Sequence, residues 1–198
     1  MKRNALRYRI FKLTPVLSLI TLNILVYILT LIAPGLIFRL GLQPTIFFEQ
    51  PWTILTNLFT HASLWHVSAN MLTFYFFGRY LSHLIGETKL LVIYFGGGIL
   101  GNILFILWAL LPFTSPFVIG IGASGAVFAL GGTLTALRPK LKVLVFPIPV
   151  PLPLWTAVIG GFLIISFLPN ISWQAHLGGL IFGLLTGYYL KKKGRFFF

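Results

Sequence analysis

Hydrophobic and polar positions along this chain divide it into six long apolar stretches, separated by shorter segments that carry charges, prolines or both. A helix of about 20 apolar residues, within a range of roughly 17–25, spans a bilayer. The pattern therefore predicts an all-α polytopic membrane protein with six transmembrane helices and a single domain. The six predicted spans are 15–33, 64–81, 90–111, 124–137, 152–168 and 173–190, and basic tails occupy 1–14 and 191–198.

The first apolar stretch has an alternative interpretation. A basic segment followed by an apolar run is also the pattern of a cleaved signal peptide. Here the run is long for the apolar region of a signal peptide, and no small-residue cleavage site follows it. We therefore interpret it as the first span.

Composition and charge support a membrane location. Hydrophobic residues make up 58% of the chain and charged residues 9%, whereas a soluble domain carries about 25% charged residues. With six spans, 14 of the 15 lysines and arginines fall on one side, and only Arg39 falls on the other. Because lysines and arginines flanking membrane spans are enriched on the cytoplasmic side, we expect both termini in the cytoplasm and the protein in the cell membrane. The cations flank apolar spans, which indicates a lipid bilayer as their partner and no nucleic acid.

The rare residue types exclude several mechanisms. The chain has two acidic residues, Glu49 and Glu87, and it has neither Asp nor Cys. A Ser-His-Asp triad, a pair of catalytic aspartates, thiol catalysis and a cysteine-bound zinc are therefore excluded. The H-E-x-x-H motif of zinc metalloproteases is also absent, and we expect no metal and no cofactor.

Strongly polar groups inside predicted spans indicate a functional site, because burying them in lipid is costly. The second span begins with HASLWHVSAN, the fourth follows GIGA, and the sixth begins with WQAHLGG. Counting back from Arg138 and Lys191, the helical rise places Ser124 about 21 Å and His176 about 22 Å above the inner interface. Two helices thus bring a serine and a histidine to one depth.

Serine and histidine at one depth form a candidate catalytic dyad. A neutral imidazole is the usual base that activates a serine hydroxyl. The developing oxyanion needs donors, which the His66 and Asn70 side chains and the Ser124 backbone N–H can supply. Glycines on the fourth and sixth spans predict close helix packing. We also expect a non-helical segment at 117–123 that lines a water-filled cavity.

Three motifs together resemble the rhomboid family of intramembrane serine proteases, in its prokaryotic six-span form. They lie in the family's order between about residues 52 and 189: Gly122-Ala-Ser124-Gly125 with Phe128, His66-x-x-x-Asn70-Met71, and Ala175-His176-x-Gly-Gly179 with Gly183. The resemblance implies a Ser124 nucleophile, a His176 base and an oxyanion hole at His66, Asn70 and Ser124. It implies cleavage of transmembrane protein substrates near the outer membrane face, and it leaves the oligomeric state open. Two positions depart from the family pattern, Thr53 and Ser82.

Other interpretations remain for the same residues. A related non-catalytic protein would bind transmembrane helices as a chaperone or retrotranslocation factor, but such relatives typically lack the serine or the histidine. A small transporter would place its polar groups at the bilayer midplane, whereas this cluster lies near one face. His61 and His83 lie at span ends, and we interpret them as structural or interfacial.

Overall fold

The computed structural model describes residues 14–112, 114–115, 117–145, 148–169 and 171–194. The predicted basic tail before residue 14 and the last four residues lie outside this part. The described residues form eight α-helices and one two-stranded ribbon. The helices are α1 (Pro15–Ile32), α2 (Leu36–Leu40), α3 (Thr53–Thr56), α4 (Leu64–Ile85), α5 (Glu87–Ala109), α6 (Ser124–Leu137), α7 (Leu154–Ser166) and α8 (Trp173–Lys192).

The six long helices coincide with the six apolar stretches. Helix α6 has the predicted bounds, and the other five differ from them by one to four residues at an end. By length and hydropathy, α1 and α5 are able to cross a membrane, whereas α6 and α7 are apolar but shorter. Residues 117–123 are not helical, as expected, so α6 begins only at Ser124.

The expectation of an all-α protein needs one correction. Strands β1 (Lys142–Val143) and β2 (Leu152–Pro153) pair antiparallel between α6 and α7. Because β2 takes the first residues of the predicted fifth span, α7 starts at Leu154 instead of residue 152. The long connection between α1 and α4 also has its own structure, with α2, α3 and two 3-10 helices at Pro44–Ile46 and Asn57–Phe59.

Helix α6 is the centre of the bundle. Eleven of its fourteen residues are buried, and α4, α5, α7 and α8 all pack against it. Its sequence is rich in Gly, Ala and Thr, which are small enough to let neighbouring backbones approach. The Thr133 hydroxyl bonds to the carbonyl of Ala129 in its own helix and to that of Gly183 in α8. This packing fixes α6 against α8.

The contacts between helices also give their directions. Gly125 of α6 faces Gly179 of α8, and Thr133 of α6 faces Gly187, so these two helices run parallel. Helix α5 runs opposite to both, since its Gly101 contacts Ala175 near the start of α8. His66, near the start of α4, contacts Gly122 just before α6. The amino-terminal ends of α4, α6 and α8 therefore share one end of the bundle, which carries the candidate site.

Candidate active site

The loop before α6 is held by backbone hydrogen bonds from the connection between α1 and α4. Leu42 and Gly120 exchange two N–H···O=C bonds, of 2.9 and 2.8 Å. The Gly122 N–H donates to the Asn57 carbonyl at 2.9 Å. Non-helical backbone inside a membrane must have its polar groups paired, and these bonds pair the N–H and C=O of Gly120 and the N–H of Gly122. They also fix the point at which α6 begins.

Gly122 is required by both its backbone and its surroundings. Its φ is +117°, a conformation in which a side chain is strained. A Cβ atom on this residue would lie 2.7 Å from His66 Nε2 and 3.8 Å from Ser124 Oγ. The His66 ring and the Ser124 hydroxyl thus both lie close to the position that a side chain at residue 122 would take.

Ser124 and His176 are in direct contact. The Ser124 Oγ lies 2.7 Å from His176 Nε2. When the imidazole carries its proton on Nδ1, the hydroxyl donates to Nε2, which is the arrangement of a nucleophile and its base. His176 is buried, and its Nδ1 has no hydrogen-bond partner among the residues that the structure describes. Its ring packs at a tilt against that of Phe128, with centroids 4.8 Å apart.

Glycines make this short contact between two helices possible. A Cβ on Gly179 would overlap the Gly125 carbonyl oxygen, and one on Gly183 would overlap that of Ala129. One turn before Gly179, the Ala175 carbonyl lies 3.1 Å from the Cβ position of Gly125. The motif glycines Gly125, Gly179 and Gly183 therefore lie at the contacts that bring Ser124 to His176, whereas Gly122 lies against His66.

The two predicted oxyanion donors on α4 are placed differently. The His66 ring lies beside Gly122, next to the serine. Asn70 is buried, and one of its amide N–H groups donates to the His66 carbonyl at 2.9 Å in its own helix. An Asn amide has two N–H donors, so one remains for another acceptor. The structure brings His66 to the serine and gives Asn70 an intrahelical bond.

His61 contributes to the site more directly than its position at a span end indicated. It is buried in the turn before α4, its ring meets that of His66 edge to face at 4.9 Å, and the Ala123 N–H donates to its Nε2 at 3.4 Å. Burial, together with the neighbouring His66, lowers the pKa of His61 to about 3. A neutral His61 is an acceptor for the residue that precedes Ser124.

A pair of buried asparagines is a second feature that the sequence argument missed. The side chains of Asn57 and Asn102 exchange two amide hydrogen bonds of 2.9 and 2.8 Å, and Asn102 also donates to the Ile54 carbonyl. Asn102 is a polar residue inside the otherwise apolar α5, which is the signal that singled out Asn70. Since the Asn57 carbonyl holds Gly122, the pair ties α5 to the loop before Ser124.

A small cavity lies between this pair and the serine. Asn57, Asn102, Gly122, Ser124 and Ser172 are among its lining residues, and about 10 Å³ is open to the centre of a water molecule. That is close to the minimum space that one water needs. The arrangement can therefore combine a base-activated hydroxyl with a polar space for a reactant.

Comparison with known proteins agrees with this arrangement. A sequence model described as the Rhomboid domain matches residues 49–193. The chain is 32% identical over 158 residues to Rhomboid protein 1, mitochondrial, of Saccharomyces cerevisiae, covering 71% of this chain and 42% of the yeast protein. It is 29% identical over 152 residues to the YdcA protein of Bacillus subtilis, covering 72% and 68%.

Not every relative carries the same description. Inactive RHOMBOID-like protein 8 of Arabidopsis thaliana is 33% identical over 134 residues, which cover 67% of this chain and 36% of that protein. The chain thus spans less than half the length of the yeast and Arabidopsis relatives. The domain match includes the candidate site and all helices from α3 to α8. This chain therefore belongs to the rhomboid family and is an integral membrane protein.

Proposed function

We propose that this protein is an intramembrane serine endopeptidase that cleaves transmembrane protein substrates with a Ser124–His176 dyad. The observation that carries the proposal is the 2.7 Å contact between Ser124 Oγ and His176 Nε2. It places a hydroxyl of α6 in bonding contact with an imidazole of α8, which is the pairing of a nucleophile and its base. Because the chain has no Asp, serine and histidine act as a dyad, without an acidic residue as a third member.

Acyl transfer follows from these positions. His176 Nε2 takes the hydroxyl proton as Ser124 Oγ attacks the peptide carbonyl. The oxyanion is held by the Ser124 N–H at the start of α6, by His66 and by the second N–H of Asn70. His176 then protonates the leaving amine, and a water activated by the same imidazole hydrolyses the acyl-enzyme.

The close approach of Gly122 to His66 supports this oxyanion site. Because residue 122 has no Cβ, a carbonyl oxygen can enter the space between the His66 ring and Ser124. Donors need to lie about 2.7–3.1 Å from the position that the oxyanion takes. A Cβ on residue 122 would lie 2.7 Å from His66 Nε2, so a larger residue would crowd the imidazole that this site uses.

We also propose the six-span form typical of prokaryotic members, a location in the cell membrane and cytoplasmic termini. Six long helices and the charge asymmetry support this topology. Lys140, Lys142 and Lys191 lie at the end of the bundle opposite Ser124, and Arg39 lies near the site end. Cleavage then takes place near the outer membrane face, within a single membrane domain. The oligomeric state stays open.

A non-catalytic protein that binds transmembrane helices is the alternative. Its support is that one relative is named inactive. Against it stands the retention of both members of the dyad in bonding contact. The glycine at residue 122, with φ of +117° beside the half-buried His66 imidazole, also favours a catalytic protein.

The experiment compares the wild type with Ser124→Ala in proteoliposomes that contain a single-span substrate with a helix-breaking stretch. Loss of either dyad member costs at least about 10⁴-fold in kcat, so we expect no product from Ser124→Ala or His176→Ala. Ser68→Ala, an exposed serine on α4, is the matched control and retains the wild-type rate. Substrate binding without cleavage by the wild type supports the non-catalytic alternative.

A further inference from the structure

The segment between α6 and α7 has a pattern of exposure that its position in the chain does not require. Its described residues are 140–145 and 148–155, which include the β1–β2 ribbon; we call these residues the hairpin. Leu141 and Val143 face the protein and pack against the core. Lys140, Lys142 and Leu144 alternate with them and are exposed, because neighbouring side chains in an extended chain point to opposite faces.

The outward face of the hairpin combines charge with apolar surface. Leu144 is 74% exposed, and Ile148 and Val150 are 41% and 56% exposed at the tip of the ribbon. The two cations lie at its base, and no acidic residue occurs between residues 88 and 198. Exposed apolar side chains next to lysines are typical of elements that lie in a membrane interface.

The backbone of the tip is also suited to an apolar environment. Proline occupies every second position from 147 to 153, and each proline removes one backbone N–H. An unpaired N–H costs several kcal/mol in lipid, so this composition removes a penalty that an ordinary loop has on leaving water. In water the same prolines give no such advantage.

The start of α7 fixes the hairpin at the membrane boundary. The Leu154 N–H donates to the Leu141 carbonyl at 2.7 Å, and the Trp155 N–H donates to the Pro139 carbonyl at 3.3 Å. Trp155 is 51% exposed, and Trp is enriched at headgroup level. The hairpin therefore projects from the point where α7 enters the bilayer.

We propose that the hairpin is an interfacial anchor that binds anionic phospholipids: Lys140 and Lys142 hold headgroup phosphates while Leu144, Ile148 and Val150 enter the acyl chains. The occupant is the bilayer itself, since charge and apolar surface together match an anionic lipid better than a soluble phosphate. The inference is independent of proteolysis, because it concerns the end of the bundle opposite Ser124.

The absence of Cys in the chain permits a direct test of depth. Ile148→Cys is labelled with an environment-sensitive fluorophore in the full chain and reconstituted in phosphatidylcholine vesicles with 30% phosphatidylglycerol. Thr88→Cys, at an exposed position by the turn between α4 and α5 on the same side, is the control. Doxyl groups on the acyl chains should quench the label at residue 148 and leave that at residue 88 little changed. Equal quenching at both positions overturns the proposal.

The second measurement tests the headgroup contacts. Trace doxyl-labelled phosphatidylglycerol and doxyl-labelled phosphatidylcholine are compared as quenchers of the label at residue 148. We expect a preference for the anionic lipid of at least about fivefold at low salt, the factor that one lysine supplies near an anionic surface. Lys140→Gln/Lys142→Gln should abolish this preference, whereas Lys192→Gln/Lys193→Gln, at the end of α8, should keep it. No preference in the wild type, or one unchanged by the hairpin substitutions, contradicts the proposed binding.

Discussion

The packing of α6 against α8 at Gly179 leads to a prediction that is specific to this structure. The methyl group added in Gly179→Ala overlaps the carbonyl oxygen of Gly125, which is the residue directly after Ser124. The Cβ atom is bonded directly to the backbone and the carbonyl oxygen is part of it, so no side-chain rotation relieves the overlap. The two helices must move apart at the level of the dyad.

The size of that movement can be estimated from a milder contact in the same interface. At Gly187 a Cβ would lie 2.6 Å from the Thr133 carbonyl oxygen, whereas ordinary contacts begin at 3.4 Å. The overlap at Gly179 is tighter, so the separation there is at least about 0.8 Å. The Ser124–His176 contact of 2.7 Å then lengthens to about 3.5 Å, the outer limit of a hydrogen bond. A misplacement of about 1 Å can cost about 10²-fold in rate.

The assay is single-turnover cleavage in proteoliposomes by three glycine-to-alanine variants. We expect Gly179→Ala to lose at least about 10²-fold in rate. Gly187→Ala, about 12 Å further along α8, should lose less, because the dyad is remote from that contact. An alanine at Gly160 in α7 would place its Cβ in open space within the described part of the protein, so Gly160→Ala should keep the wild-type rate. A wild-type rate in Gly179→Ala refutes the argument, and equal losses at Gly179 and Gly187 attribute the effect to general misfolding.

Three further predictions concern neighbouring contacts. Gly122→Ala places a Cβ 2.7 Å from His66 Nε2 at a φ of +117°, so kcat should fall by at least about 10²-fold while substrate binding is retained; an unchanged kcat removes the oxyanion role of this space. Asn102→Leu leaves the buried Asn57 amide unpaired and should lower the free energy of unfolding by about 1–3 kcal/mol, measured by denaturation in detergent. Thr133→Val loses the bond to Gly183 and should cost about 0.6 kcal/mol in the same measurement; a larger loss points to a packing defect.

The positions of the helices and of the dyad follow from the sequence for simple physical reasons. Apolar runs predict the helix bounds within a few residues, because charged residues and prolines separate them. The helical rise per residue predicts that Ser124 and His176 lie at one depth. That prediction depends only on where each helix meets its flanking basic residues. The glycines at Gly179 and Gly183 predicted close packing because their spacing of four puts them on one face.

Other features depend on contacts that no local pattern records. Asn57 and Asn102 are 45 residues apart and meet only because the connection before α4 folds over α5. His61 lies at the end of a predicted span, which is typical of an interfacial residue. The connection before α4 nevertheless buries it against His66. The ribbon at Lys142–Val143 is too short to produce a strand signal, and its prolines argue against a strand.

The central claim is that His176 activates Ser124 as a nucleophile, and covalent labelling tests it most directly. Purified protein is treated with a fluorophosphonate, and the modified residue is identified by mass spectrometry. We expect one adduct on Ser124 in the wild type, none in Ser124→Ala and a strongly reduced rate in His176→Ala. An unlabelled Ser124 in a protein that is folded, or labelling that is unaffected by His176→Ala, would contradict the claim.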